Sequence, residues 1–299
     1  MISPDFFSVF VCSVLGLVLA IPSNTCIVMV NLDIIRKKGK LSPTDVIFLA
    51  KGIVNILLQC VLSLEGMIHV FSPGVLYIIQ VYVFVSTSVY FLTYYSFWLT
   101  FWLSAHYCTS ITNLSYGFLI WLKRIVSNFL SEVFFLTALG TFIVGVPWFW
   151  IVYAESLLQS PENITEHYVL VSLSYSVPAN ILGVILPFCL SLLCLVLTFS
   201  FLLRHVWRVK NNDSGSTRPN LQAHVTALRT IFFLLLMFTF YCMSQLLLLF
   251  PNSSLGIIIW NLHLLSPSME AAVIFQASNK LRRILLRRFW TRSWRNTET

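Results

Sequence analysis

Residues 6–31 read FFSVFVCSVLGLVLAIPSNTCIVMVN, and a basic cluster, Arg36, Lys37, Lys38 and Lys40, follows shortly after. The 26 residues of that run carry no charge. As a helix they extend about 39 Å, enough to cross a hydrocarbon core of about 30 Å. Helix is the expected form, because lipid offers backbone N–H and C=O groups no partner outside their own segment. The rest of the chain has the same character. Of its 299 residues 58% are hydrophobic and 10% charged, 25 are Phe, and the mean hydropathy is +0.83. A soluble domain carries about 25% charged residues, so this chain cannot cover itself with polar surface. That excludes a secreted or cytosolic enzyme, a coiled coil and a disulfide-stapled scaffold. Apolar runs of about 20 residues, without ten-residue alternation, argue against a membrane β-barrel.

The expected fold is an all-α membrane protein, a seven-transmembrane helix bundle forming a single domain over 1–299. Spans are expected near 6–31, 44–70, 77–106, 129–152, 178–203, 225–249 and 255–278, with a cytoplasmic tail over 279–299. Phe250-Pro251-Asn252-Ser253-Ser254 separates the last two by a turn. Lys51 excepted, every Lys and Arg falls on one side of these spans. Lys123 and Arg124 lie between spans three and four; Arg204, Arg208, Lys210, Arg218 and Arg229 flank the gap between five and six; seven more, from Lys280 to Arg295, follow span seven. The positive-inside rule then puts the N-terminus outside and the C-terminus inside, which requires an odd number of spans. The net charge of +8 is assigned to contacts with the inner leaflet lipid and not to nucleic acid. Span one is expected to act as the insertion signal in place of a separate signal peptide. No internal repeat of the transporter kind is visible.

The external loop between spans four and five contains Asn163-Ile164-Thr165, a glycosylation sequon on the correct side, so Asn163 is the expected acceptor. The seven cysteines all fall within spans or at their inner ends, leaving nothing to form an external disulfide. There is no zinc-type His/Glu spacing, no Gly-rich strand-to-helix loop and no serine nucleophile elbow, so no catalysis, metal or cofactor is expected. The tail interleaves Leu281, Ile284, Leu285, Phe289 and Trp290 with Arg, as an amphipathic helix on the inner leaflet would. With no Cys it offers no site for palmitoylation.

Several stretches carry a resemblance together. Trp98-Leu99-Thr100-Phe101-Trp102-Leu103-Ser104-Ala105-His106-Tyr107 is followed by Asn113-Leu114-Ser115 and then Leu119-Ile120-Trp121-Leu122-Lys123. Asn24, Leu41-Ser42-Pro43-Thr44-Asp45, Leu186-Pro187-Phe188-Cys189-Leu190-Ser191-Leu192, His224-Val225-Thr226-Ala227-Leu228-Arg229 and Asn279-Lys280-Leu281-Arg282 occur in order around it. In this register the chain resembles the type 2 (bitter) taste receptors over essentially its whole length. Span three ends in His106-Tyr107-Cys108 without an Asp/Glu-Arg-Tyr motif, and span seven has no Asn-Pro-x-x-Tyr, as in that family. The chain also departs from it: Asn55 stands where an Arg is expected in helix two, Glu270-Ala271 where helix seven has His-Ser, and Ser110 where a Lys follows the Tyr. Those departures imply a divergent, non-mammalian member.

The resemblance implies a multi-pass plasma-membrane receptor that binds a small amphipathic agonist and signals to a heterotrimeric G protein of the gustducin/inhibitory type. The expected G-protein-facing residues are Tyr107, Lys123, Arg124, Arg204, His205, Arg208, His224, Arg229 and Lys280. It places Val89 and Thr93 of helix three and Tyr241 of helix six at pocket positions, and favours Trp260 of helix seven. Tyr90 and Tyr94 share the spacing of Val89, Thr93 and Phe97 on span three, and His263 lies in the outer half of span seven beside Trp260. Glu65, near the outer mouth, is expected to attract cationic ligands. Two other readings share the composition: a vomeronasal type 1 pheromone receptor, and a small-solute transporter using Lys51 and Glu270 as an ion relay.

Lys51 and Glu270 each lie about eight residues from the inner end of their span, roughly 12 Å deep. A lone charge at that depth is costly. With Asn24 at similar depth and Asn55 one turn from Lys51, the expectation is an intramembrane polar lock of Asn24, Lys51, Asn55 and Glu270.

Overall fold

The computed structural model describes residues 4–76, 78–111, 117–158, 177–211, 253–278 and Leu281, with short helical pieces at 229, 232–233, 235–236 and 239–240. Asn163, His224, Tyr241, Lys280 and most of the tail lie outside the described residues.

The first helix, α1 (Pro4–Lys38), runs through its apolar stretch and on over the basic residues, several positions past the expected end of the span. Nothing forces it to unwind where it leaves lipid, and Arg36, Lys37 and Lys38 suit the negative end of its dipole. Gly39 stops it, with φ +66° and its N–H on Ile35 O at 2.8 Å. α2 (Pro43–Phe71) starts four residues later under the Ser42 cap, whose Oγ accepts from Asp45 N at 3.2 Å, with Pro43 in the first turn. A single turn, Pro73–Leu76, leads into α3 (Ile79–Ile111).

α3 is the hub: it touches α2 on one side and α5 (Leu130–Leu158) and α6 on the other. α6 begins with α-helix at 177–180, passes through a π-helical segment at Ile181–Ile185, and continues as Leu186–Asn211. α7 (Ser253–Ala277) packs on α1 and α2. Pro267 inside α7 removes the N–H that His263 O would receive, and Ser266 Oγ takes that carbonyl at 2.8 Å instead.

The stretch between spans three and four is not a plain loop. Gly117–Asn128 forms α4, and Ile120–Asn128 meets Leu130–Gly145 of α5 at 94°. Leu122 and Val126 of α4 are buried while Lys123 and Arg124 are exposed, so the helix lies against the basic end of the bundle by one apolar edge. α1, α2, Val177–Phe201 and Gly256–Gln276 are each long and apolar enough to cross a membrane, and the bent α4–α5 pair adds a fifth. α3 is poorer in aliphatic residues, and Ser86, Thr93, Tyr94, Ser96, Thr100 and Ser104 along it are buried against its neighbours.

Candidate functional site

The centre of the bundle is polar. The Lys51 ammonium, 0% exposed, donates to Thr100 Oγ1 at 2.6 Å and reaches Ser96 Oγ at 3.1 Å and Ser96 O at 3.2 Å. Its fourth neighbour is Glu270 Oε2 at 3.1 Å, and Ser96 Oγ donates to the same oxygen at 3.3 Å. An ammonium has three donors and no acceptor, so this shell satisfies it fully. Ser96 and Thr100 sit one turn apart on α3, and Thr100 Oγ1 bonds back to Ser96 O at 3.2 Å. The cluster therefore ties α2, α3 and α7 at one level. Ser96 and Thr100 were missed from the sequence. The only signal was their helical spacing, which is equally that of hydroxyls bonding their own helix.

Asn24 does not join this cluster. Its Nδ2 donates to Ala20 O at 2.9 Å and Pro267 O at 3.3 Å, and its Oδ1 accepts from Asn55 Nδ2 at 3.4 Å. The expected four-residue lock is thus two units: a charged one on α2, α3 and α7, and an amide one on α1, α2 and α7. The reason is lateral: equal depth on two helices does not mean equal facing, and Asn24 points at the carbonyl of Pro267. A further polar seam continues along α1 and α2, where Gln59 Nε2 donates to Ser63 Oγ at 2.9 Å and Ser63 Oγ to Ser13 O at 3.3 Å. Gly16 makes room for it: a Cβ there would stand 2.3 Å from Gln59 Nε2 and 2.8 Å from Leu264 O.

The residues expected to line a ligand pocket separate into groups. At the end of the bundle opposite the basic residues, His69 of α2 stacks edge-on with Trp260 of α7, ring centroids 4.6 Å apart, and Phe6 of α1 lies 5.3 Å from His69. One turn earlier on α2, Glu65 is within electrostatic reach of Tyr90 on α3, and among the described residues it makes no hydrogen bond or ion pair. His69 had not been picked out from the sequence. His263 lies on α7, half-buried, about one turn from Trp260.

The α3 stripe does not face a single space. Val89 belongs to the main core with Leu58, Leu62 and Leu92. Thr93 is buried, its Oγ1 without a hydrogen-bond partner among the described residues. Tyr94 and Phe97 pack instead in a second cluster with Ala179, Val184 and Leu235, and Tyr90 leans on it. Tyr94 OH donates to Asn180 Oδ1 at 3.2 Å. Its ring lies flat over Gly183 in the π-helical segment, where a Cβ would come within 2.5 Å of it.

Of the basic-end residues, Lys123, Arg124 and Arg204 are exposed, and Tyr107 is half-buried. His205 and Arg208 belong to α6, and nothing further is described of them. Arg229 donates to Gln276 Oε1 of α7 at 3.4 Å and lies 5.6 Å over the Phe233 ring. Among the described residues no group of His, Cys, Asp and Glu is arranged to hold a metal ion.

The chain matches the family described as Taste receptor protein (TAS2R) over residues 1–293. It belongs to the TAS2R taste receptor family. Relatives include Taste receptor type 2 member 40 of Gallus gallus, 27% identical over 78% of this chain and 74% of that one. Taste receptor type 2 member 9 of Homo sapiens is 29% identical over 91% of this chain and 89% of its own. Taste receptor type 2 member 8 of Pongo pygmaeus is 28% identical over 94% of both. The chain is accordingly a seven-helix membrane receptor of the bitter taste class, acting on small-molecule ligands through a G protein. Neither the vomeronasal nor the transporter reading is favoured by these likenesses.

Proposed function

We propose that the agonist is a small amphipathic molecule, cationic in part, held at the end of the bundle opposite the basic residues, and that this end faces outside. The observation that carries the reading is Glu65, a carboxylate with no hydrogen bond or ion pair among the described residues, within electrostatic reach of Tyr90 and one turn along α2 from His69, which pairs with Trp260. Along α2 it stands 14 residues from Lys51, about 21 Å. An agonist there acts on the same helix that the buried pair ties to α3 and α7. Rearrangement of α6 and the sixth span then opens the basic end to a heterotrimeric G protein of the gustducin/inhibitory type. Tyr107, Lys123, Arg124, Arg204 and Arg229 border that end. The receptor works at the plasma membrane, and Asn163 is glycosylated.

A calcium readout in cells carrying a promiscuous Gα, run against a panel of neutral and cationic bitter compounds, tests this. At least one compound should give a saturable response that is absent without the receptor. Receptor present at the surface with no response across the panel, in the presence of several Gα types, would overturn the reading.

A further inference from the structure

A cavity of about 430 Å³ lies between α3, α5 and α6. Its α3 wall is Tyr94, Trp98 and Trp102, a four-residue repeat on the face opposite Ser96 and Thr100, so it is separate from the buried charge cluster. Among the described residues, every polar side chain on the wall except the Trp98 indole is already committed. Trp102 Nε1 donates to Thr137 Oγ1 at 3.1 Å, and that hydroxyl to Val133 O at 2.6 Å. Thr141 Oγ1 donates to Ala138 O at 2.9 Å and Tyr94 OH to Asn180 Oδ1 at 3.2 Å. No charged residue lines the space. A guest therefore meets mostly hydrocarbon and aromatic surface, with no charged side chain to anchor it.

Shape and access narrow the guest further. On α5 the walls run from Val133 to Val144, about 16 Å of helix, so the space is long. Leu136 and Leu182 on its rim are 63% and 47% exposed, in a bundle whose side faces are covered by lipid, while Thr141 inside is 3% exposed. The slot thus opens sideways to the bilayer. Its lower end is Ile125 of α4, the amphipathic helix at the basic end of the bundle. Gly140 leaves the space open: a Cβ built there meets nothing within 4 Å.

We propose that this cavity binds one acyl chain of a membrane phospholipid, entering from the leaflet at the basic end. It is a second site, chemically unlike the Glu65 mouth, and does not depend on how agonist binds there.

The full-length receptor is placed in nanodiscs of phosphatidylcholine bearing a mid-chain diazirine, irradiated, and its labelled residues mapped by mass spectrometry. Val18 and Leu19 of α1, exposed on the bundle surface, report ordinary lipid contact. Label at the recessed Trp98, Trp102 and Thr141 should match or exceed label at Val18 and Leu19. Gly140→Leu, which puts a side chain into open space, should lower the recessed label about fivefold and leave α1 unchanged, because a filled slot has no room for a chain. Gly140→Ala should fall between, and serves if the larger variant unfolds. Label confined to the rim, or recessed label unaltered in a folded Gly140→Leu receptor, would show ordinary lipid contact only and overturn the site. Recessed labelling by a diazirine sterol but not by the acyl probe would overturn the choice of guest.

Discussion

Lys51 Nζ and Glu270 Oε2 stand 3.1 Å apart, joining α2 to α7, and Ser96 of α3 touches both. The carboxylate alone does not account for the lysine's position. Two hydroxyls and a carbonyl from α3 complete its shell, so the three helices are held at one level by one cation.

Removing either charge leaves the other unpaired. In soluble proteins that costs about 3–5 kcal/mol. Lys51→Met or Glu270→Gln should each lower surface expression strongly or alter basal signalling. The double variant should be milder than the two losses added, since no orphan charge remains. Lys51→Glu with Glu270→Lys should recover part of the loss. Surface labelling by flow cytometry, with basal signalling alongside, checks this; strictly additive losses with no recovery in the swap would dismiss the coupling.

The α3 hydroxyls supply a separate test. Thr100→Val removes the shortest contact of Lys51 while keeping side-chain shape. Leaving a buried donor unsatisfied costs about 1–3 kcal/mol. Thermal unfolding in detergent should show a clear loss for Thr100→Val in the wild-type background and a much smaller one beside Lys51→Met. Equal losses in both backgrounds would mean that Thr100 supports only its own helix.

Two glycines should behave oppositely. At Gly183 an added Cβ enters the Tyr94 ring at 2.5 Å, whereas at Gly140 it meets nothing within 4 Å. Overpacking of this kind costs about 1–3 kcal/mol. Gly183→Ala should lower the unfolding temperature, Gly140→Ala should leave it nearly unchanged, and Tyr94→Leu should relieve part of the Gly183→Ala loss. The decisive comparison is the three melting curves under one set of conditions.

Glu65→Gln should weaken a cationic agonist more than a neutral one of similar size. With a charge-assisted contact worth about 1.5–3 kcal/mol, the cationic EC50 should rise roughly tenfold or more. Matched dose–response curves read this directly, and equal shifts for both ligands would assign Glu65 to the general form of the mouth.

Asn163→Gln should abolish the glycosidase-sensitive part of the receptor's gel mobility. An unchanged shift would remove either the sequon or the orientation from which it was argued.

Much of the fold is one-dimensional information, and the sequence by itself determined it. Hydrophobic runs longer than a bilayer core demand helices, charge kept out of lipid marks where the spans end, and the positive-inside rule gathers the basic residues on one side. Local stops are legible for the same reason: Gly39 offers the left-handed turn, and Ser42-Pro43 offers a hydroxyl cap and a fixed φ. The depth of Lys51 and Glu270 follows from counting residues at a fixed rise. Only the tertiary structure decided what each residue meets sideways. Helix rotation and neighbour choice turned Asn24 toward Pro267 O, split the α3 stripe between two clusters, and brought Ser96 and Thr100 to the lysine. The right-angle break between α4 and α5 and the slot beneath Tyr94 belong to the same class. Each depends on contacts between segments far apart in the chain, and no local pattern of spacing, hydropathy or charge encodes the angle at which two helices meet.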